Sequence, residues 1–199
     1  MDVLQFAFLM LKASKELCEQ LSKLELFSLL LACIAHDVGH TSYNNRFHCS
    51  CQSLLALLFN DQSVLENYHS LILFSIMRRP RYNFCYKWDV DKWSEFRRIT
   101  IACILGTDMA AHFKYLKRFA DSQIGPSREL DQDGRLMLAI MLVKCADISN
   151  IIRPFDIARR WGFKLVAEFF CQGDWERFLG QEPSFLTNRL SFDMARGQE

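Results

Sequence analysis

The chain has 199 residues, half of them hydrophobic, and its 24 basic and 23 acidic side chains leave a formal net charge of +1. That length suits one domain with a sizeable core, and so balanced a charge excludes the electrostatic footprint of a nucleic-acid or membrane-surface binder. Eight cysteines lie scattered through apolar segments without the density of a disulfide framework, so the expectation is reduced thiols in a cytoplasmic protein.

Val3, Phe6, Leu9, Met10, Leu17 and Leu21 recur at helical spacing and predict a first helix, broken at Ser22-Lys23 before a second from Leu24 to Asp37. Neither apolar run, Val3 to Leu11 or Leu24 to Ala35, is long enough to span a bilayer, and the first lacks the basic start of a leader. Turn-prone residues from Thr41 to Asn45 end the second helix, which sets His36-Asp37-Val38-Gly39-His40 at its C-terminus. Histidines at i and i+4 share a helix face, and the aspartate beside the first can turn to the same point. That is metal-ligand spacing, and equally the spacing of a hydrogen-bonded core pair. His48-Cys49-Ser50-Cys51 has no second Cys or His pair at zinc-finger spacing.

Phe47 to Asn60 predicts a helix with Leu54, Leu55, Leu57, Leu58 and Phe59 mostly in the core, followed by a turn and cap through Ser63. Val64 to Met77 follows, with Glu66 and His69 on one face. Glu66 serves equally as a first-turn carboxylate favoured by the helix dipole. Pro80 makes the basic, aromatic stretch Arg78 to Tyr86 a surface loop. Asp89 to Thr107 is helical, and Asp108 and His112 beyond it read as a salt-bridged pair at i, i+4. Gly125-Pro126-Ser127 breaks the loop-like stretch 121–133. Arg135 to Ala146 is strongly apolar, so Asp147 at its end is costly without a metal or a buried donor as partner. Pro154 starts a last long helix that Gln172-Gly173-Asp174 ends. With no strand alternation and no repeat, the fold class is all-α: a compact multi-helix bundle whose helix ends converge on one polar pocket.

Six motifs stand in order: His36-Asp37-x-x-His40 with Asn45, Ser63-Val64-Leu65-Glu66-Asn67-x-His69, Thr107-Asp108-Met109-x-x-His112, Asp147-Ile148-Ser149-Asn150, Glu168-Phe169-Phe170-x-Gln172-Gly173-Asp174 and Ala195-Arg196-Gly197-Gln198. In that order and spacing the sequence resembles, from Asp2 to Gln198, the catalytic domain of the class I 3′,5′-cyclic nucleotide phosphodiesterases, HD-type metal phosphohydrolases. Lys144 to Trp161, with Arg153-Pro154-Phe155-Asp156, looks most like the protozoan members and the cGMP-preferring branch.

The resemblance implies a hydrolase that opens the cyclic phosphate of cAMP or cGMP to the 5′-monophosphate and so terminates cyclic nucleotide signalling. It implies two divalent metals, Zn2+ at a tight site and Mg2+ or Mn2+ at a second. The family's zinc ligands map onto His36, Asp37 and Asp147, and the positions that hold the second metal's waters map onto His40, Glu66 and the Thr107 backbone. Gln198 matches the glutamine that hydrogen-bonds the purine edge, Asn150 a polar position near the base, and Leu165 and Phe169 apolar pocket positions, with Met109 also assigned to the substrate. Such chemistry suits the donors. Attack on an anionic phosphodiester needs its charge neutralised and a nucleophile generated at neutral pH, with carboxylate and water suited to magnesium and imidazole to zinc. The expected partner is the cyclic nucleotide, with no nucleic-acid polymer and no membrane span, and a homodimer stays open.

The resemblance also has gaps. The family's His-Asn-x-x-His lies just before the position matched by Asp2-Val3, so the general-acid histidine and one metal ligand are absent from this chain. The phenylalanine that stacks on the base falls beyond Glu199. Gly39 stands for a usual acidic residue, Ser42 for a glycine, Tyr68 for a histidine and Asn188 for an aspartate. The expectation is a single, partial catalytic domain over 1–199, truncated at both ends and impaired in activity. The alternative is a degenerate phosphodiesterase-like protein that binds nucleotide or a partner without catalysis.

Overall fold

The computed structural model describes residues 1–122, 124–125 and 129–191, and every regular element among them is helical. The α-helices are α1 (Asp2–Ala13), α2 (Lys15–Gln20), α3 (Lys23–Ala35), α4 (Asn45–Ser50), α5 (Leu54–Leu58), α6 (Val64–Met77), α7 (Val90–Leu105), α8 (His112–Asp121), α9 (Gln132–Asp147) and α10 (Phe155–Phe178). Short 3-10 turns occupy Pro80–Tyr82, Met109–Ala111 and Ile148–Ile152. The chain divides into two compact units, Met1–Gly39 with Ser63–Ser149 and His40–Gln62 with Asn150–Glu199.

The first unit is built on α3, which packs against α7, α9 and α1. A capping box starts α3: Ser22 Oγ accepts the Glu25 N–H at 3.2 Å, and Glu25 Oε2 accepts the Ser22 N–H at 2.7 Å. Leu29, Ala32, Cys33 and Ala35 then bury one side against Phe96, Ile99, Cys103 and Ile104 of α7. Phe96 is fully buried and meets Phe27, Phe74, Trp88 and Trp93 at centroid distances of 5.7, 6.1, 5.3 and 5.6 Å, within the range where aromatic pairs attract. Every residue of α9 from Met137 to Lys144 is buried, as an all-round apolar helix must be. Gly106, at the end of α7, permits the approach to α9, because a β-carbon there would lie 2.5 Å from Ile140 Cγ2. Two deeply packed helices, α3 and α9, thus carry His36-Asp37 and Asp147 at their C-terminal ends.

The second unit holds α4, α5 and the 24-residue α10. Four expectations fail locally, each for a traceable reason. Ser14 is extended (φ −122°, ψ 99°) and divides the first helix into α1 and α2. Gln52, with φ +48°, and Ser53, whose Oγ accepts the Ala56 N–H, split the expected Phe47–Asn60 helix in two. Leu54, Leu57 and Leu58 are therefore exposed, at 81, 66 and 56 %, instead of lying in the core. At the other end, α10 runs through Gln172-Gly173-Asp174 to Phe178, since Gln172 and Glu176 bond one turn apart along the same helix. Among the described residues, no helix is long and apolar enough to cross a membrane, and all eight cysteines are unpaired.

Candidate metal centre

His36 caps the C-terminus of α3 with its own N–H bonded to Ala32 O. Its ring is 7 % exposed, and Nδ1 lies 3.0 Å from Cys33 O. A carbonyl can only accept, so Nδ1 carries a proton and Nε2 is the atom presented to the site. Nε2 sits 3.2 Å from Asp37 Oδ2 and 3.2 Å from Asp147 Oδ1. One ligand atom from each of the three residues falls within 4.8 Å of the others. Burial disfavours the imidazolium, but hydrogen bonds and charge from Asp147 and Asp37 outweigh it and raise His36 to about 10. Two carboxylates and an imidazole with an oriented Nε2 suit a divalent cation, which would compete with that proton.

His69 approaches this group at Asp37 and is not among the ligands read from the sequence. It is 1 % exposed on α6, its Nδ1 lies 2.9 Å from Val38 O, and its Nε2 lies 3.8 Å from Asp37 Oδ1. The signal was its shared face with Glu66. Gly39 makes the turn beneath α6 with φ +74°, and a β-carbon there would stand 3.4 Å from Tyr68 Cε1. A second overlooked residue is Lys144, 4 % exposed on α9, which donates to Gly106 O at 2.9 Å. Burial lowers its pKa, while the charges of Asp147, Asp108, Cys145 and Glu66 act in the opposite sense. Glu66 lies in the first turn of α6 and is half-buried.

The other candidates are placed as follows. Thr107 is half-buried and directs Oγ1 to Ile104 O at 2.7 Å, and Met109 begins a 3-10 turn, 58 % exposed. Asp108 is not described by the expected pairing with His112. Its carboxylate accepts Ser63 Oγ at 2.7 Å and the Ala110 N–H at 2.8 Å, while His112 Nδ1 is buried and finds no hydrogen-bond partner among the described residues. Ser63, expected as a cap of α6, spends its hydroxyl on Asp108 instead and makes no side-chain cap bond. In the second unit, His40 is exposed and its Nδ1 accepts the Ser42 N–H at 3.0 Å. Asn150 and Phe169 are half-buried there, and Leu165 is 46 % exposed one turn before Phe169 on α10. Gln198 and the motif around it lie outside the described residues.

Among the described residues the fold is all-helical, and two of its core helices end in histidine and aspartate donors grouped closely enough to hold a cation. The chain belongs to the 3′5′-cyclic nucleotide phosphodiesterase family, whose model matches residues 1–199. It is 36% identical over 196 residues to the 3′,5′-cyclic-nucleotide phosphodiesterase regA of Dictyostelium discoideum, covering 98% of this chain and 25% of that protein. It is 38% identical over 165 residues to the high affinity cGMP-specific 3′,5′-cyclic phosphodiesterase 9A of Drosophila melanogaster, covering 82% of this chain and 11% of that one. Among solved structures it resembles the phosphodiesterase domain of the RhoPDE fusion protein from the choanoflagellate Salpingoeca rosetta, with TM-score 0.88 and 33% identity over 98% of this chain and 62% of that one. The chain thus spans about a quarter of the Dictyostelium relative and under two thirds of that solved chain.

Proposed function

We propose that this chain is part of the catalytic domain of a metal-dependent phosphodiesterase that hydrolyses cAMP, cGMP or both to the 5′-monophosphate. The observation that carries the reading is His36 Nε2, held 3.2 Å from a carboxylate on each side in a chain of this family. His36, Asp37 and Asp147 would hold Zn2+, and Asp37 would also be available to a second cation, Mg2+ or Mn2+. Bound there, the cations supply charge neutralisation for the phosphoryl oxygens and a nucleophile at neutral pH. The residues' own work is positional. Cys33 O fixes the His36 tautomer, Val38 O does the same for His69, and both rings are thereby turned toward Asp37. Glu66, His40 and the Thr107 backbone order solvent, and Lys144 offsets the carboxylate charge from the buried side of α9. Asn150, Leu165, Phe169, Met109 and Gln198 take the nucleotide.

The purified chain, loaded with Zn2+ and Mg2+, is expected to convert cAMP or cGMP slowly to the 5′-monophosphate. EDTA should abolish turnover, metal should restore it, and Asp147→Ala should reduce it to background. Turnover indifferent to chelation would overturn the reading. Saturable nucleotide binding with no hydrolysis would also overturn it, in favour of a degenerate binding protein.

A further inference from the structure

The second unit buries a carboxylate that the proposed chemistry does not use. Glu176, on α10, is 3 % exposed, and both oxygens are occupied: Oε2 accepts Thr187 Oγ1 at 2.6 Å and Oε1 accepts Gln172 Nε2 at 2.9 Å. Thr187 commits its proton to Glu176 and can itself accept from Ser184 Oγ at 3.0 Å. Gln172, 2 % exposed, uses its remaining Oε1 to accept the backbone N–H of Asn44 at 2.9 Å. A backbone N–H only donates, so the orientation of the Gln172 amide is dictated, with Oε1 toward Asn44 and Nε2 toward Glu176. Ser184, Thr187, Gln172 and Asn44 thus form donor chains ending on one buried carboxyl group, an arrangement whose members polarise one another. Gly173 makes room for it, since a β-carbon there would lie 1.9 Å from Thr187 O.

Asn44 closes the turn that follows His40, and its side chain accepts the Phe47 N–H to start α4. A second anchor holds Thr41, whose Oγ1 lies 2.8 Å from Nε2 of His48, a 7 % exposed ring braced at Nδ1 by Ser53 Oγ at 3.0 Å. Between the anchors Ser42 takes φ +65°, a left-handed conformation that a side chain disfavours and that persists only when its surroundings enforce it. That conformation turns the Ser42 N–H onto His40 Nδ1 at 3.0 Å. A ring nitrogen that accepts an N–H carries no proton, so the proton of neutral His40 is on Nε2.

We propose that Gln172 and Glu176 are positioning residues. Through Asn44 they hold Ser42 in its left-handed turn, and through Ser42 they set His40 as an Nε2–H donor. The inference rests on the role given to His40 above, and its test separates the two.

In the full chain labelled with 15N-histidine, ring NMR is expected to show His40 as the Nε2–H tautomer, with a slowly exchanging Ser42 amide. Gln172→Ala and Glu176→Ala should shift the Nδ1 resonance toward the average of two exchanging tautomers and remove the Ser42 protection. Glu176→Gln should restore both: its oxygen accepts Gln172, its amide donates to Thr187 Oγ1, and the Thr187 proton turns to Ser184 O at 3.2 Å. Gln172→Met fills similar space without either hydrogen bond, and it decides the matter should the alanine variants fail to fold. In hydrolysis, Gln172→Met should lower kcat about 10-fold at unchanged KM, the scale of lost outer-shell support. An unchanged tautomer and unchanged Ser42 exchange in Gln172→Met would overturn the proposal whatever the rate. His40→Ala hydrolysing at the wild-type rate would instead overturn the role of His40 and leave the hydrogen-bond device standing.

Discussion

Asp147→Asn tests the candidate metal centre most directly, because it keeps the side chain's shape while removing one of the two carboxylates that lie 3.2 Å from His36 Nε2. A ligand that binds only the folded state stabilises it by RT ln(1 + [L]/Kd), about 2.7 kcal/mol at a hundred times Kd. For a chain of 199 residues, each kcal/mol moves Tm by roughly 2–4 °C. Zinc at that excess should therefore raise the Tm of the wild type by about 5–11 °C. At the same concentration the asparagine variant is left with His36 and Asp37, and its metal-induced increment should shrink to about 1 °C or less. The assay is thermal unfolding by circular dichroism, each protein with zinc and with EDTA. The increment is the reading, so any effect of the substitution on the metal-free protein cancels. A zinc-induced rise of equal size in both proteins would refute the assignment of Asp147 as a ligand.

Other expectations follow from the first unit's core. Burial raises the Glu25 pKa, but bonds from Ser22 and Arg135 outweigh it and leave the carboxyl below its ordinary 4.5. Its stabilisation is therefore fully present above that value and is lost as pH falls through the lower folded value. Urea unfolding from pH 7 down to pH 3 should show the wild-type advantage over Glu25→Gln narrowing in that range, and a constant difference would contradict it. Phe96→Ala, which empties the site between four aromatic rings, should cost about 3–5 kcal/mol in the same assay. Alkylation of the native protein followed by peptide mass mapping should label exposed Cys145 and Cys171 and spare Cys33 and Cys103. Burial, then the charge of Asp147, pushes the Cys33 thiol up to about 12, and burial raises Cys103 as well.

What was legible in the sequence were features with a local cause. The ends of α3 and α9 could be read because an apolar helix that stops at His36-Asp37 or at Asp147 has to satisfy those groups somewhere. Their meeting at His36 Nε2 follows from the packing of α3 on α9, a long-range fact to which spacing alone is blind. The leucines of α5 misled because period-3.6 apolarity describes a helix's pattern and not its surroundings. Ser53 starts a new five-residue helix there, and three of its four leucines face outward. Asp108 and His112 misled differently. Their i, i+4 spacing is compatible with a pair, yet Asp108 caps the turn at Met109 and takes the Ser63 hydroxyl.

The residues least visible in the sequence are those that act through others. His69 and Lys144 each sit in a helix where a buried apolar side chain would serve the core as well, so their chemistry shows only in their partners, Val38 O with Asp37 and Gly106 O. A buried charge or imidazole retained at such positions costs stability unless its hydrogen bonds and neighbouring charges compensate. Here the compensation runs toward one place: His36 and His69 both turn Nε2 to Asp37, and the carboxylates that favour protonated Lys144 include Asp147. A core optimised for stability alone has no reason to turn two imidazoles onto one carboxylate at the end of α3. A core that must hold carboxylates and imidazoles ready for a cation does, and Lys144→Met separates the cases. It should cost about 1–3 kcal/mol of stability, because the buried Gly106 carbonyl loses its donor, while also altering zinc affinity, and an unchanged zinc-induced rise in Tm would make Lys144 a packing residue only.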